Sequence, residues 1–359
     1  MKEGFTKYIF IILVIIIICL AVYKIYQNNS EKPEENIVNE VVQDTIKSND
    51  IRIGITNFDT MNPLLSNNRD ILQIDRLIYE PLITLDENYQ AKLCLASECS
   101  KIDNKTYVIK IDTNKRWQDG TPFMAKDIQF TIDRLKEGKS IYSYNVQYIS
   151  SIEILDASTV KIYLSQEQPF FEYYLTFPIL CNSQYINKDM NTSTEIPLGT
   201  GMYKIESIEG NNIKLTKNEK WWNRGENDPK AENITINIYS QMGEVYNSFK
   251  LGNIDFINTS NTSVEDYIGT IGYGKNEYKG RELDYISLNC NNNILKYPEV
   301  RKAISYLIDK NNIVSSVYNN KKYISDFPLD YGSFLYTEQE SQFAYDIEKA
   351  KQVLTDAGW

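Results

Sequence analysis

The sequence contains no histidine and little cysteine. Its 359 residues include no histidines and five cysteines. Histidine is the usual side chain for acid–base catalysis near neutral pH and the commonest transition-metal ligand. Its absence excludes Ser-His-Asp and Cys-His catalysis and histidine-ligated zinc. No nucleophile motif and no glycine-rich phosphate loop is present either, so we expect no enzyme activity, no metal site and no cofactor.

Positive charge is also scarce. Lysine and arginine number 38 against 48 aspartates and glutamates, which gives a net charge of −10. Because proteins bind nucleic acids by neutralising phosphates with lysine and arginine, this balance argues against a nucleic-acid partner. The hydrophobic content of 42% is sufficient for buried cores, and the length of the chain predicts two or three domains, or one domain with a large insertion.

The cysteines do not form a disulfide framework. Four of them follow Cys19, and none belongs to a Cys-x-x-Cys pair. A bridge between Cys94 and Cys99 is one interpretation. The favoured interpretation is that these cysteines are free thiols that pack as small hydrophobic side chains.

One apolar run stands at the N-terminus. Residues 8–22 are uncharged, with Lys2 and Lys7 before them and Lys24 after them. We predict that residues 1–25 are a membrane anchor or signal segment and that residues 26–50 are a flexible linker, so that the rest of the chain is held at the outer face of the cell membrane. Because no small-residue cleavage site follows, an uncleaved anchor is favoured. Lipidation at Cys19 is the alternative.

After the linker, the spacing of apolar residues indicates strands and helices. These elements do not alternate strictly, which predicts a mixed α+β fold. Asp119 and Asp127 are interpreted as turn and helix-initiation residues rather than catalytic acids. Strands are predicted at residues 51–56, 105–111, 159–164, 212–216 and 234–239, and helices at 71–78, 125–135, 298–308 and 346–357.

Several short motifs occur in a characteristic order. They are Met61-Asn62-Pro63, Tyr79-Glu80-Pro81-Leu82, Trp117-Gln118-Asp119-Gly120-Thr121-Pro122-Phe123, Ala125-Lys126-Asp127-Ile128, Pro197-Leu198-Gly199-Thr200-Gly201, Trp221-Trp222, Leu251-Gly252-Asn253-Ile254-Asp255, Val300-Arg301-Lys302-Ala303 and Ala357-Gly358-Trp359. In this order and at these separations, they resemble the oligopeptide- and dipeptide-binding proteins of ABC importers, which are the extracellular solute-binding proteins of family 5. The resemblance extends from residue 51 to the end of the chain.

Three features depart from the family pattern. Met124 stands where a helix-capping threonine is usual, and Cys99 stands where the family often has tryptophan. Loss of the cap should cost about 1 kcal/mol, which Asp127 in the first turn would partly offset. The family's chains continue well beyond the position of Trp359, so the resemblance implies a C-terminally truncated chain, which is either a fragment or a natural truncation. In this form we expect it to bind peptides weakly or not at all.

The resemblance implies a periplasmic-binding-protein-like fold of type II, with α+β and α/β elements, two lobes and an inserted subdomain. Lobe I would comprise residues 51–85 and 196–282, and the inserted subdomain residues 86–195. Residues 283–359 would begin a second lobe that is incomplete. We therefore expect residues 51–55 to pair with the strand at 234–239 in one sheet.

The resemblance also implies that the chain captures short peptides and delivers them to the permease subunits of an ABC importer. A surface receptor for a peptide signal is one alternative, and a binding protein for a sugar or metal complex is another. If they do not bind ligand, Asn67–Arg69 form a solvated turn and Tyr142 is an ordinary packing residue. The ligand-binding residues implied by position are Asn67, Asn68, Arg69, Tyr142, Thr259 and Ser260.

Overall fold

The computed structural model describes residues 49–186, 188, 195–225, 227–259, 274–278, 280, 282–325, 327–329, 333–336 and 343–359. The predicted anchor at 1–25, Cys19 and nearly all of the predicted linker lie outside these residues. Among the helices formed by these residues, none has the length and apolar character needed to cross a membrane.

Ten strands and seven α-helices are assigned within the described part of the chain. The strands are β1 (Asp50–Thr56), β2 (Ile83–Leu85), β3 (Ala91–Leu93), β4 (Ala96–Asp103), β5 (Thr106–Ile111), β6 (Ile149–Asp156), β7 (Thr159–Leu164), β8 (Tyr203–Glu209), β9 (Asn212–Lys217) and β10 (Asn233–Tyr239). The helices are α1 (Arg69–Ile78), α2 (Ala125–Lys136), α3 (Asn182–Tyr185), α4 (Met242–Lys250), α5 (Pro298–Leu307), α6 (Lys310–Ser316) and α7 (Ile347–Asp356). Two 3₁₀ helices cover Ile141–Val146 and Phe171–Leu175.

The first sheet has the strand order β1-β10-β9-β8. Strand β1 runs parallel to β10, with Ile51 opposite Ile234 and Ile55 opposite Ile238, and the other pairs are antiparallel. This confirms the predicted pairing of residues 51–55 with the strand at 234–239. Helix α1 packs on this sheet through Ile71, Ile74 and Ile78, and together they enclose one hydrophobic core.

The second large sheet has the order β4-β5-β7-β6 and is antiparallel throughout. Helix α2 covers it with Ile128, Ile132 and Leu135, all of which are buried. The α2 N-terminus lacks a side-chain cap because Met124 occupies the N-cap position. The Asp127 carboxylate instead accepts the Met124 backbone N–H at 2.8 Å, as the predicted compensation requires.

A third, smaller core lies in the C-terminal part of the chain. Helices α5 and α7 pack together through Ala303, Tyr306 and Ala350. Proline at the first position of α5 and the Asp346 cap of α7 match the predicted helix starts.

A tight backbone junction connects the two large sheets. Residues 199–201 run against the end of α1, and the Gly201 N–H donates to the Ile78 carbonyl at 2.8 Å. A Cβ atom on Gly199 would lie 1.9 Å from the Ile78 oxygen, so only glycine fits there. The buried Gln118 side chain closes the junction: its amide donates to the Tyr203 carbonyl at 2.6 Å and accepts the Gly199 N–H at 3.0 Å.

A buried carboxylate lies beside this junction. Glu80 accepts hydrogen bonds from the indole N–H groups of Trp221 at 2.9 Å and Trp222 at 2.7 Å. The Lys115 ammonium lies over the Trp222 ring and donates to the Cys94 carbonyl at 2.9 Å. Burial lowers the pKa of Lys115 to about 8 and raises that of Glu80 despite the two indole hydrogen bonds. These contacts join the second sheet region to the connection between β9 and β10 of the first sheet.

We predict that Gly199→Ala destabilises the protein by about 2 kcal/mol or more, because the new methyl group meets backbone rather than a movable side chain. Urea unfolding of the full chain measures the loss. Gly243→Ala is the matched control: a Cβ there meets nothing within 4 Å, and alanine favours the helix. Equal stabilities for the two variants would contradict the assigned role of Gly199.

Candidate functional site

Three chain segments end at one edge of the first sheet. The parallel strands β1 and β10 terminate there, and Ile53 of β1 also forms a parallel bridge to Phe256. Residues 57–68 follow β1, and Thr259 follows Phe256 by three positions. In open α/β sheets, ligands bind at the carboxyl ends of the parallel strands. The structure thus brings the predicted loop and Thr259 to the same edge.

The segment before Thr259 is fixed by an ion pair. The Arg52 guanidinium donates to both oxygens of Asp255, at 2.7 and 3.0 Å, and the Asp255 N–H donates to the Arg52 carbonyl at 2.7 Å. The hydrogen bond from the Arg52 side chain holds the pKa of Asp255 below its usual value. Further along, the Thr259 hydroxyl lies 2.8 Å from the Tyr246 hydroxyl of α4.

The loop after β1 is organised by a single carboxylate. Asp59 accepts the backbone N–H groups of Thr60, Asn67 and Asn68 at 2.7, 2.7 and 3.1 Å, and the Ser66 hydroxyl at 2.9 Å. Burial acts to raise the pKa of Asp59, but these hydrogen bonds to the charged form outweigh it, and the pKa lies below the usual value. The loop is therefore held by an ionised side chain.

The three predicted loop residues have different roles in the fold. Asn67 is exposed, and its side chain makes a long contact of 3.4 Å to the Leu65 carbonyl. Asn68 caps α1 by accepting the N–H groups of Asp70 and Ile71, while its amide donates to the chain at the end of β1. Contact of the Asn68 side chain with ligand stays a prediction, since its polar atoms already support the loop.

Arg69 points away from the helix it begins. Its guanidinium forms an ion pair with Glu282, which also lies 3.9 Å from the Lys322 ammonium. This contact ties the loop to the chain that leads into the C-terminal helices. Both side chains are largely exposed, so the pair contributes little to stability.

Tyr142 comes from the 3₁₀ helix of the second sheet region. It is half-buried and packs against that region's core. Burial raises the pKa of its hydroxyl, the Asp75 charge adds to the effect, and the Arg76 charge opposes it. Tyr142 therefore lies near the middle of α1, close to Asp75 and Arg76.

Asp75 is a buried acidic residue of α1 that is not among the sequence candidates. The residue is 4% exposed, and neither carboxylate oxygen has a hydrogen-bond partner in the described structure. Burial raises the pKa of Asp75 well above its usual value, and the Asp59 charge adds to this. The signal was available: Asp75 follows Ile74 and precedes Ile78 on the apolar face of α1, where a charged side chain is unexpected.

The remaining candidates are Ser260, the cysteines and any group of side chains that could bind a metal ion. Ser260 lies outside the described residues. The four described cysteines carry free thiols, which agrees with the favoured interpretation of Cys94 and Cys99. Across the described ranges, no group of three or more cysteine, aspartate or glutamate side chains is arranged to hold a metal ion.

Comparison with known proteins gives consistent matches. The sequence model of the bacterial extracellular solute-binding proteins, family 5 (middle), matches residues 90–359. A putative ABC transporter peptide-binding protein of Brucella ovis is 26% identical over 301 residues, which are 78% of this chain and 55% of that protein. The glutathione-binding protein GsiB of Salmonella choleraesuis is 25% identical over 329 residues, which are 88% of this chain and 62% of that protein.

The fold is also found among solved structures. The structure of NikZ from Campylobacter jejuni in complex with Ni(L-His) superposes with a TM-score of 0.70 at 27% identity, covering 87% of this chain and 64% of NikZ. The chain thus spans 55 to 62% of the length of these two curated relatives. The match confirms the predicted fold class.

We predict that Asp75→Asn changes the pH dependence of stability. Because the folded pKa of Asp75 exceeds the unfolded value of about 3.9, the folded state retains its proton longer than the unfolded state. Wild-type stability should therefore fall as pH rises from about 4 through the folded pKa, by up to about 1.4 kcal/mol per pH unit from this group. Asp75→Asn should lose this contribution.

Urea unfolding of the full chain between pH 4 and 8 measures the slope. Asp133→Asn, an exposed carboxylate on α2, is the control and should follow the wild-type curve. Identical slopes for wild type and Asp75→Asn would show that Asp75 is not protonated in the folded state.

Proposed function

Because the chain belongs to the family 5 bacterial extracellular solute-binding proteins, we propose that it captures peptides outside the cytoplasm and delivers them to the permease of an ABC importer. Membership in this family agrees with the expectation that the chain has no enzyme activity, since proteins of the family bind solutes. The Brucella relative is named as peptide-binding and the Salmonella relative as glutathione-binding, and glutathione is itself a tripeptide. Peptides are therefore the favoured solute class.

The proposal includes a division of the chain into lobes. Lobe I would comprise residues 51–85 and 196–282, with residues 86–195 inserted and residues 283–359 beginning lobe II. Two observations support this division. The first sheet combines β1 with β8–β10, and the junction at Gly199 lies where the chain returns from the inserted part.

One observation carries the proposal: a loop that exposes Asn67 is held by hydrogen bonds at the carboxyl edge of the parallel strands. Asp59 fixes the backbone of Asn67 and Asn68, so the loop presents its outer face in one conformation. Such preorganisation lowers the entropic cost of binding. A peptide backbone pairing along this loop, as in β-strand addition, would be recognised independently of its side chains.

The other proposed contacts surround this loop. Tyr142 would contact the ligand from the inserted part, and Thr259 from the neighbouring segment at the sheet edge. Ser260, which lies outside the described residues, is proposed as a contact from its sequence position alone. Arg69 would retain its ion pair with Glu282 and so keep the loop in register with the chain that leaves lobe I. In this arrangement, Asn67 and Arg69 offer the exposed polar groups, and Asn68 supports them.

Two alternative functions are a binding protein for another class of solute and a surface receptor for peptides. NikZ was solved with a nickel–histidine complex, and the fold alone does not separate metal complexes or sugars from peptides. A metal complex is less favoured because this chain supplies no histidine ligand. A surface receptor would bind the same peptides without a permease.

We predict that calorimetric titration of the full chain with a mixture of di- to pentapeptides gives weak, saturable heat. Titrations with a nickel–histidine complex and with an oligosaccharide should give none. Asp59→Asn should weaken peptide binding by about tenfold or more, because charged hydrogen bonds to the loop are worth about 1.5–3 kcal/mol. Asp86→Asn removes a similar turn carboxylate from the β2–β3 connection and should leave affinity unchanged.

The substrate assignment fails if the sugar or the nickel complex binds and peptides do not. The assignment of the loop fails if Asp59→Asn and Asp86→Asn bind peptides equally well. Loss of peptide import on deletion of a neighbouring permease gene separates the importer from the receptor.

We further propose that the N-terminal segment holds the chain at the outer face of the cell membrane. The uncharged run at residues 8–22 and its flanking lysines support this. After alkaline carbonate extraction, we expect the protein in the membrane pellet for both wild type and Cys19→Ala. Release by Cys19→Ala alone would indicate lipidation, and recovery from the medium with an N-terminus beyond residue 25 would indicate secretion.

A further inference from the structure

A cavity lies in the second sheet region, apart from the sheet edge described above. Its volume is about 420 Å³, and strands β2 to β5 form its floor. Ile83, Leu93, Cys99 and Tyr107 supply apolar or weakly polar surface, and Phe170 forms one wall. A cavity of this size accommodates a small organic molecule.

The Phe170 wall is held in an unusual conformation. Its backbone has φ = 56°, in the left-handed region that a phenylalanine rarely adopts. The exposed ring contacts Tyr173 and Phe334, with ring centroids 6.1 and 6.5 Å apart. Strained backbone of this kind persists only where surrounding contacts hold it, and it clusters at functional sites.

The cavity lining carries two lysines and one glutamate, and the lysines form ion pairs with carboxylates that do not line the cavity. Lys92 lies 3.4 Å from Asp86, and Lys101 lies 3.4 Å from Glu167, so each lysine has its own carboxylate. Glu172 also lines the cavity and forms no ion pair with any described residue. Burial raises the pKa of Cys99 to about 11 and also raises the pKa of Tyr107. The negative charge of Glu172 adds to both increases, so its carboxylate lies beside both side chains.

We propose that this cavity binds a small organic cation, namely an ammonium group attached to an apolar body. The half-buried Glu172 carboxylate would accept hydrogen bonds from the ammonium group. The exposed face of Phe170 offers a second attraction for a cation, and the apolar floor receives the body of the ligand. The Glu172 carboxylate would repel an anion. A neutral apolar molecule would leave this carboxylate without a partner.

This site is independent of the proposed peptide function. Its lining residues do not include any of the predicted ligand-binding residues. Failure of one proposal therefore leaves the other unaffected.

Phenethylamine is the test ligand, and 2-phenylethanol and 3-phenylpropionate are its neutral and anionic counterparts. Saturation-transfer NMR and calorimetry on the full chain should show phenethylamine binding in roughly the millimolar range, as its size allows. The alcohol should bind at least about tenfold more weakly, and the carboxylate should not bind.

Glu172→Gln should reduce phenethylamine affinity about tenfold or more while leaving that of 2-phenylethanol unchanged. Glu153→Gln, on the far edge strand β6, should leave both unchanged. Cys99→Trp should fill the cavity and abolish binding, provided that thermal melting shows a folded protein. If Cys99→Trp does not fold, the Glu172→Gln titration decides alone. Stronger binding of the anion, equal binding of the alcohol, or phenethylamine affinity unaffected by Glu172→Gln would overturn the proposal.

Discussion

The architecture depends on the close backbone approach between residues 199–201 and the end of α1. The chain leaves the first sheet region after α1, forms the second sheet, and returns through this point. Because the Ile78 carbonyl receives both the Gly201 N–H and the Gln118 amide, one oxygen fixes the outgoing and the returning chain together. Strands β8 to β10 can join β1 only if this crossing is held, so the sheet edge that carries the candidate site depends on it.

Helices and strands could be predicted from the sequence where burial of one face gives their apolar residues a regular spacing. Helix α1 and strands β1, β7 and β10 have regular apolar spacing, and their predicted bounds agree with the structure within two residues. Strand β4 was missed because it is an edge strand with a polar sequence, Ala-Ser-Glu-Cys-Ser-Lys-Ile-Asp, and little of it is buried. Helix α4 was missed because only Val245 and Tyr246 are buried, and Gly243 interrupts its pattern.

The site could be located from sequence only at the level of a loop. Positional resemblance indicated Asn67–Arg69, but the control of that loop by Asp59 depends on hydrogen bonds between residues seven to nine positions apart that no motif encodes. The partner of Arg69 is 213 positions away and is invisible to local reasoning. Cys99 departs from the family pattern, which often has tryptophan at this position. The fold is retained, but the small thiol lines a cavity whose contents the sequence alone did not address.

The parallel pairing of β1 with β10 also determines the order in which the molecule can fold. Asp50 and Asn233 face each other across 183 positions, whereas β4 to β7 pair within one continuous stretch of chain. Long-range pairing carries the larger loop-closure cost and is slow. On the ribosome, β1 therefore emerges first and completes its sheet late, after the intervening antiparallel sheet has had time to form. Until then its isoleucines and its unpaired backbone edge remain open to other chains, which makes β1 a segment in need of protection during synthesis.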